Sequence, residues 1–213
     1  MEMEVSIQNN TLTLMVGDIT NQETDVIVNA ANGSLLGGGG VDGAIHRAAG
    51  HDLLQACKKV RTDILAGSNL PTGEAVMTKG FQLPASYVIH TVGPIWGETS
   101  HADELLANCY KNSLLLANSI NDCTNEFISK NGGLLSRDMG EQGDAVKHSE
   151  RLSISFPSIS TGVYKFPIER AAHIALETIS DFLQRHSFGD VVMTLFSEDD
   201  YNVYKDALQN RCK

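Results

Sequence analysis

No apolar run in the 213-residue chain approaches the roughly 18 residues that a membrane-spanning helix requires. The opening Met-Glu-Met-Glu is acidic and lacks the basic-then-apolar order of a secretory leader. The expected location is the cytoplasm, or the nucleus in a host that has one. Cysteine is scarce: Cys57, Cys109, Cys123 and Cys212 form no CxxC pair and have no zinc spacing, so they read as free, partly buried thiols and no metal is expected. Basic charge is scarce too. Sixteen Lys and Arg stand against 26 Asp and Glu, a net charge of −10. General nucleic-acid binding, which needs a basic face to displace counterions, is therefore not expected. A single small anion is compatible with this balance, because backbone N–H groups hold phosphates without any lysine. There is no Walker A Gly-Lys-Ser/Thr and no Gly-x-Ser-x-Gly elbow for a serine nucleophile.

What is present is enough apolar residue, 42%, for a large core. The length suits one domain, 1–213, and a monomer is expected. Residues 5–7 and 11–16 flank Asn9-Asn10 as a hairpin or edge strand would. Short apolar runs at 25–30 (DVIVNA), 75–77, 87–92, 152–156 and 191–196 read as buried strands. Helical spacing lies between them: Val41, Ala44, Ile45, Ala48 and Ala49; Leu53, Cys57, Val60 and Ile64; Leu105, Cys109, Leu116 and Ile120; and Ile168, Ala171, Ala172, Ala175, Ile179 and Phe182 after Pro167. A last helix spans about 199–209, with Ser197 as its N-cap. Strands alternating with helices predict a central, mostly parallel sheet covered on both faces. Ligands on such sheets sit beyond the carboxyl ends of the strands, which directs attention to the loops after Ala30, Val92, Phe156 and Phe196. Residues 121–150, polar, Gly-rich and of mixed charge, break the rhythm and read as a mobile insertion.

The first of those loops, 29–50, reads NAANGSLLGGGGVDGAIHRAAG. A buried strand ends in asparagines, four glycines follow, and a small-residue helix begins. The glycines let the main chain approach a ligand, and the N–H groups of the helix start favour an anion such as a pyrophosphate. Gly38 to Gly43 match the dinucleotide fingerprint G-x-G-x-x-G, but they come well after the strand rather than at its end. Asp63, at the spacing of the acidic partner, falls in a helical pattern, so an NAD-dependent oxidoreductase is disfavoured. Asp42, with His46 one turn on, has two readings from spacing alone: a carboxylate that accepts a hydroxyl or steers a water, or an acid that merely complements the helix dipole.

Taken in order, Gly17-Asp-Ile-Thr20, Asp25-Val-Ile-Val-Asn-Ala-Ala-Asn32, Leu36-Gly-Gly-Gly-Gly-Val-Asp-Gly43 with Ile45-His-Arg-Ala-Ala-Gly50, Val88-Ile-His-Thr-Val-Gly-Pro94 with Trp96, and Phe156-Pro-Ser-Ile-Ser-Thr-Gly-Val-Tyr164 resemble the macro domain family, and within it the MacroD-type hydrolases. The resemblance spans nearly the whole chain. It implies a three-layer α/β/α fold around a mixed, mostly parallel sheet, and a site for ADP-ribose. Asp18, with the Ile19 N–H, would meet the adenine amino group, and Phe196 would stack on the ring, although its spacing alone reads as a core aromatic. Gly38, Gly39, Gly40 and Val41 would face a second phosphate loop of Ser160, Thr161, Gly162, Val163 and Tyr164. Asn29 would join the ligand-binding set. Asn32 and Asp42 would lie beside the distal ribose, with Asp42 the catalytic carboxylate and His46 its helper. The implied substrates are ADP-ribose esters, either O-acetyl-ADP-ribose or proteins mono-ADP-ribosylated on Asp or Glu, with no cofactor. The rival reading is a reader module that binds without cleaving. Two features depart from the pattern: Lys165, where similar chains have Gly, and the 121–150 insertion.

Overall fold

The computed structural model describes residues 1–120, the backbone of 133–135, and 151–211. Among these residues eight strands form one sheet: β1 (Glu2–Ile7), β2 (Asn10–Val16), β3 (Val26–Ala30), β4 (Ala75–Lys79), β5 (Tyr87–Thr91), β6 (Gly133–Leu135), β7 (Leu152–Phe156) and β8 (Gly189–Leu195). Their order across the sheet is β1-β2-β8-β7-β3-β5-β4-β6. The five central strands, β2, β8, β7, β3 and β5, run parallel; β1 and β4 are antiparallel to their inner neighbours. The sheet is thus mostly parallel, as the run pattern predicts, and mixed, as the resemblance implies. The direction of β4 is a structural finding, because apolar runs carry no sign of direction. Three residues of the 121–150 segment form β6, an edge strand beside β4; the rest of that segment lies outside the described residues.

Among the described residues five helices cover the sheet: α1 (Gly40–Ala49), α2 (His51–Asp63), α3 (Ala102–Asn118), α4 (Ile168–Arg185) and α5 (Glu198–Arg211). Alternation along the strands sorts the two faces. In β3, Val26 and Val28 join Ile89, Phe156 and Met193 under α3, α4 and α5. Ile27 points the other way and joins Val76 and Val88 under α1 and α2. Each fully buried Leu or Ile contributes roughly 1.5–3 kcal/mol through removal from water. The buried face of α3 carries Leu106, Cys109, Tyr110, Leu114, Leu116 and Ala117, so Cys109 and Leu116 lie on it as expected and Leu106 stands in place of the expected Leu105. Ile120 lies past the helix end. Pro167 is the N-cap of α4 rather than a first-turn residue. Ser197 caps α5 as expected, its Oγ accepting the Asp200 N–H at 3.1 Å. Among the described residues no helix is long and apolar enough to cross a membrane.

Candidate functional site

All five parallel strands deliver their carboxyl ends to one edge of the sheet, at a spacing of about 4.8 Å per strand. Read across that edge, the chain presents Asp18 after β2, Phe196 after β8, the 157–165 loop after β7, Asn32 and the glycine loop after β3, and the Gly93 turn after β5.

At one end, the Gly17 N–H donates to Leu195 O at 2.9 Å, which sets Asp18 beside Phe196. Asp18 caps a 3-10 turn (Ile19–Asn21), its Oδ1 accepting from the Thr20 N–H at 2.9 Å and the Thr20 hydroxyl at 2.7 Å. Ile19 begins that turn and buries its side chain under α1 and α2. Phe196 is 86% exposed, so the core reading of this ring is wrong: β8 stops at Leu195, and the next side chain leaves the sheet into solvent.

In the middle, Gly38, Gly39 and Gly40 are exposed. Gly39 is the N-cap of α1 and makes no side-chain bond to the first turn, leaving outward N–H groups at the positive end of the helix. A Cβ at Gly39 or Gly40 would meet nothing within 4 Å. Gly40 takes a left-handed φ of 59°, which favours glycine, but neither crowding nor its backbone angle explains Gly39; open space beside a helix start is what an anion needs.

The loop of Ser160 to Tyr164 is built more tightly. Thr161 Oγ1 donates to Ser158 O at 3.1 Å, Ser158 Oγ meets the Tyr204 hydroxyl at 2.8 Å, and the Ile159 N–H donates to the Tyr110 hydroxyl at 3.2 Å. The Trp96 N–H donates to Tyr164 O at 2.9 Å, tying the turn after β5 to this loop. Gly162 and Val163 are exposed at its crest. Ser160 and Lys165 both take left-handed backbone angles, φ 67° and 58°.

At the far end lies Asp42, in the first turn of α1 yet only 3% exposed. Dipole complementation alone does not bury a carboxylate; partners do. Asn29 Nδ2 donates to Asp42 Oδ1 at 2.8 Å, and Asn32 Nδ2 donates to Oδ2 at 3.2 Å. Asn32 also donates to Gly37 O at 2.8 Å and accepts the Ser34 N–H at 3.0 Å, so one side chain locks the strand end, the glycine turn and the carboxylate together. His46 brings Nε2 to 3.5 Å from Asp42 Oδ1, a contact in which that nitrogen makes no hydrogen bond.

Behind Asp42 the structure places residues that sequence reasoning missed. Asn29 Nδ2 lies 3.1 Å from His90 Nδ1, and His90 Nε2 lies 2.9 Å from Thr78 Oγ1. His90 is wholly buried, and that burial, aided by nearby His46, pushes its pKa down to about 3. The available signal was polar residues on the inward face of buried strands, 29 on β3 and 90 on β5, which the register pairs directly. Cys57 Sγ comes within 3.7 Å of His90 Nε2; burial and the Asp42 charge raise its thiol to about 12, so it stays protonated and is no nucleophile. Cys57 and Cys109 are free and buried, as expected; Cys123 and Cys212 lie outside the described residues. Among the described residues no group of three or more His, Cys, Asp or Glu side chains is placed to hold a metal ion.

The family model described as Macro domain matches residues 28–175. A macro domain-containing protein of Chlorobaculum tepidum is 47% identical over 193 residues, covering 90% of this chain and 91% of that protein. An O-acetyl-ADP-ribose deacetylase of Escherichia fergusonii is 45% identical over 197 residues, covering 92% and 93%. Among solved structures, an Oceanobacillus iheyensis macrodomain with ADP superposes with a TM-score of 0.84 at 50% identity, covering all of this chain and 97% of that one.

Proposed function

Because the chain belongs to the macro domain family, we propose that it binds ADP-ribose along the carboxyl edge of the sheet and hydrolyses esters of its distal ribose. The adenine would lie between Asp18 and Phe196. The diphosphate would lie between the α1 start and the 160–164 loop, and the distal ribose against Asn32 and Asp42. That order follows the strand order, and the similarity to a macrodomain with ADP supports it. The substrate class proposed is O-acetyl-ADP-ribose and, beyond it, proteins mono-ADP-ribosylated on Asp or Glu. The name of the Escherichia relative supports the first of these.

The observation that carries the enzymatic reading is the Asp42 carboxylate, buried at 3% exposure and held on each oxygen by an asparagine amide. A mere anion-binding loop has no use for it, since a carboxylate repels phosphate. Each oxygen keeps a lone pair beyond its amide bond. Asp42 is thus a fixed acceptor for a ribose hydroxyl or for the attacking water. The water is activated either by Asp42 or by the ligand's own phosphate, and in both cases the bound diphosphate and adenine supply orientation.

The test is ADP-ribose release from O-acetyl-ADP-ribose and from a protein mono-ADP-ribosylated on glutamate, with ADP-ribose binding titrated in parallel. Asp42→Ala should lower turnover on the order of a hundredfold or more and leave the Kd for ADP-ribose within a few-fold. Tight binding without release from either ester would overturn the hydrolase reading and leave a reader.

A further inference from the structure

We propose that His90, standing on Thr78, acts on the reaction through Asn29, holding its amide in the one orientation that delivers an N–H to Asp42 Oδ1, and so is a positioning residue for the catalytic carboxylate. The proposal rests on the role given to Asp42 above. An amide nitrogen has two hydrogens and no acceptor capacity. Asn29 Nδ2 sits 2.8 Å from a carboxylate oxygen, which accepts, and 3.1 Å from His90 Nδ1. That second contact is a hydrogen bond only if Nδ1 carries a lone pair, so the ring is neutral with its proton on Nε2. The Nε2–H then donates to Thr78 Oγ1 at 2.9 Å. Burial agrees with this assignment, since it disfavours the charged ring and lowers the pKa to about 3.

Donation therefore diverges from the Asn29 amide: one N–H goes to Asp42 Oδ1, the other to His90 Nδ1, and the Nε2–H of His90 goes on to Thr78. The groups that face His90 are Asn29 from β3, Thr78 from β4, Cys57 from α2 and His46 from α1, with Asp42 beyond Asn29. None supplies a competing fixed donor to Nδ1. Were His90 lost, the Asn29 amide would keep its N–H to Asp42 but lose the acceptor for its second N–H, and with it the contact that fixes the plane of the amide.

The experiment compares the whole chain with His90→Leu, His90→Asn and Thr78→Val. Each is measured for ester hydrolysis, for ADP-ribose Kd and for thermal stability. Asparagine places an acceptor oxygen where Nδ1 stood, so it separates loss of the hydrogen bond from loss of the ring. We expect kcat to fall on the order of tenfold to a hundredfold in His90→Leu, the range that misplacing a reacting group costs. ADP-ribose Kd should stay within about threefold. His90→Asn should recover at least half of the lost rate on a logarithmic scale. Thr78→Val should give a smaller fall of the same kind. In the wild-type chain, nitrogen-15 shifts of His90 should report the neutral Nε2–H tautomer from pH 5 to 8. An Nδ1–H or protonated ring would overturn the proposal. So would a folded His90→Leu with unchanged kcat, or a fall that His90→Asn does not relieve. An inactive wild type would instead strike the hydrolase reading, so the two failures are told apart by the parent chain alone.

Discussion

A single backbone angle gives Lys165 its interest. Its φ of 58° lies in the left-handed region, where a Cβ crowds the following carbonyl and costs roughly 1–2 kcal/mol. Glycine pays less there but loses more freedom on folding, about 0.5–1 kcal/mol. Lys165→Gly should therefore stabilise the chain by about 0.5–1 kcal/mol, seen as a Tm rise of roughly 1–4 °C in a thermal melt. A fall in Tm would mean that the lysine side chain holds the 160–164 loop in a way the backbone does not reveal. Phe196 gives the complementary case. An aromatic ring 86% exposed contributes little to the core, so Phe196→Ala should leave Tm nearly unchanged. If the ring stacks on adenine, the same change should weaken ADP-ribose binding by about 1–3 kcal/mol, roughly five- to a hundredfold, in a calorimetric titration. Unchanged affinity would remove the adenine from that strand end.

At the scale of elements, the loop after β7 depends on the turn after β5. A Cβ on Gly93 would lie 2.0 Å from Ser160 Oγ and 2.7 Å from Ile159 Cγ2. Ser160 is buried and already left-handed, so it has little room to yield. Gly93→Ala should displace the loop, costing about 1–3 kcal/mol of stability and tenfold or more in ADP-ribose affinity. An unchanged Kd in calorimetry would mean the loop is not part of the site. These dependencies also mark how far the sequence speaks. Apolar runs placed β3, β5, β7 and β8 to within about two residues, because a strand buried on both faces is mostly apolar, even where it carries Asn29 or His90. The glycine loop and Asp42 were legible for the same local reason. On α3, Cys109 and Leu116 were placed correctly and Leu105 was taken for Leu106, because both leucines fit the period and only packing against the sheet chooses between them. The antiparallel direction of β4 leaves no trace in composition. The link from His90 to Asn29 needs the β3–β5 register, a pairing of residues 61 apart in sequence across two helices and a strand. Phe196 fits an apolar strand pattern until the end of β8 is known.

For the molecule as a whole, the buried line behind Asp42 couples folding to pH. Burial lowers the His90 pKa from the ordinary 6.5 to about 3, so between those values the unfolded chain holds a proton that the folded chain does not. Binding protons in the unfolded state favours it. The contribution of a neutral His90 is therefore fully present above pH 6.5 and is lost progressively as pH falls toward 3, at up to about 1.4 kcal/mol per unit. From pH 6.5 to 5 the loss from this one group comes to about 1.5 kcal/mol. The acidic surface titrates as well, but a difference measurement isolates the histidine. Urea unfolding of the wild type and of His90→Asn, run in parallel at pH 7, 6 and 5, should show the wild-type advantage shrinking by about that amount, because asparagine has no proton to take up. A constant gap across the range would mean that His90 is reached by water or protonated in the folded chain. The neutral tautomer, and with it the fixed amide that steadies Asp42, would then have to be given up. The same acidification should not release ADP-ribose before the fold itself weakens, since the phosphate contacts proposed here are backbone N–H groups that do not titrate.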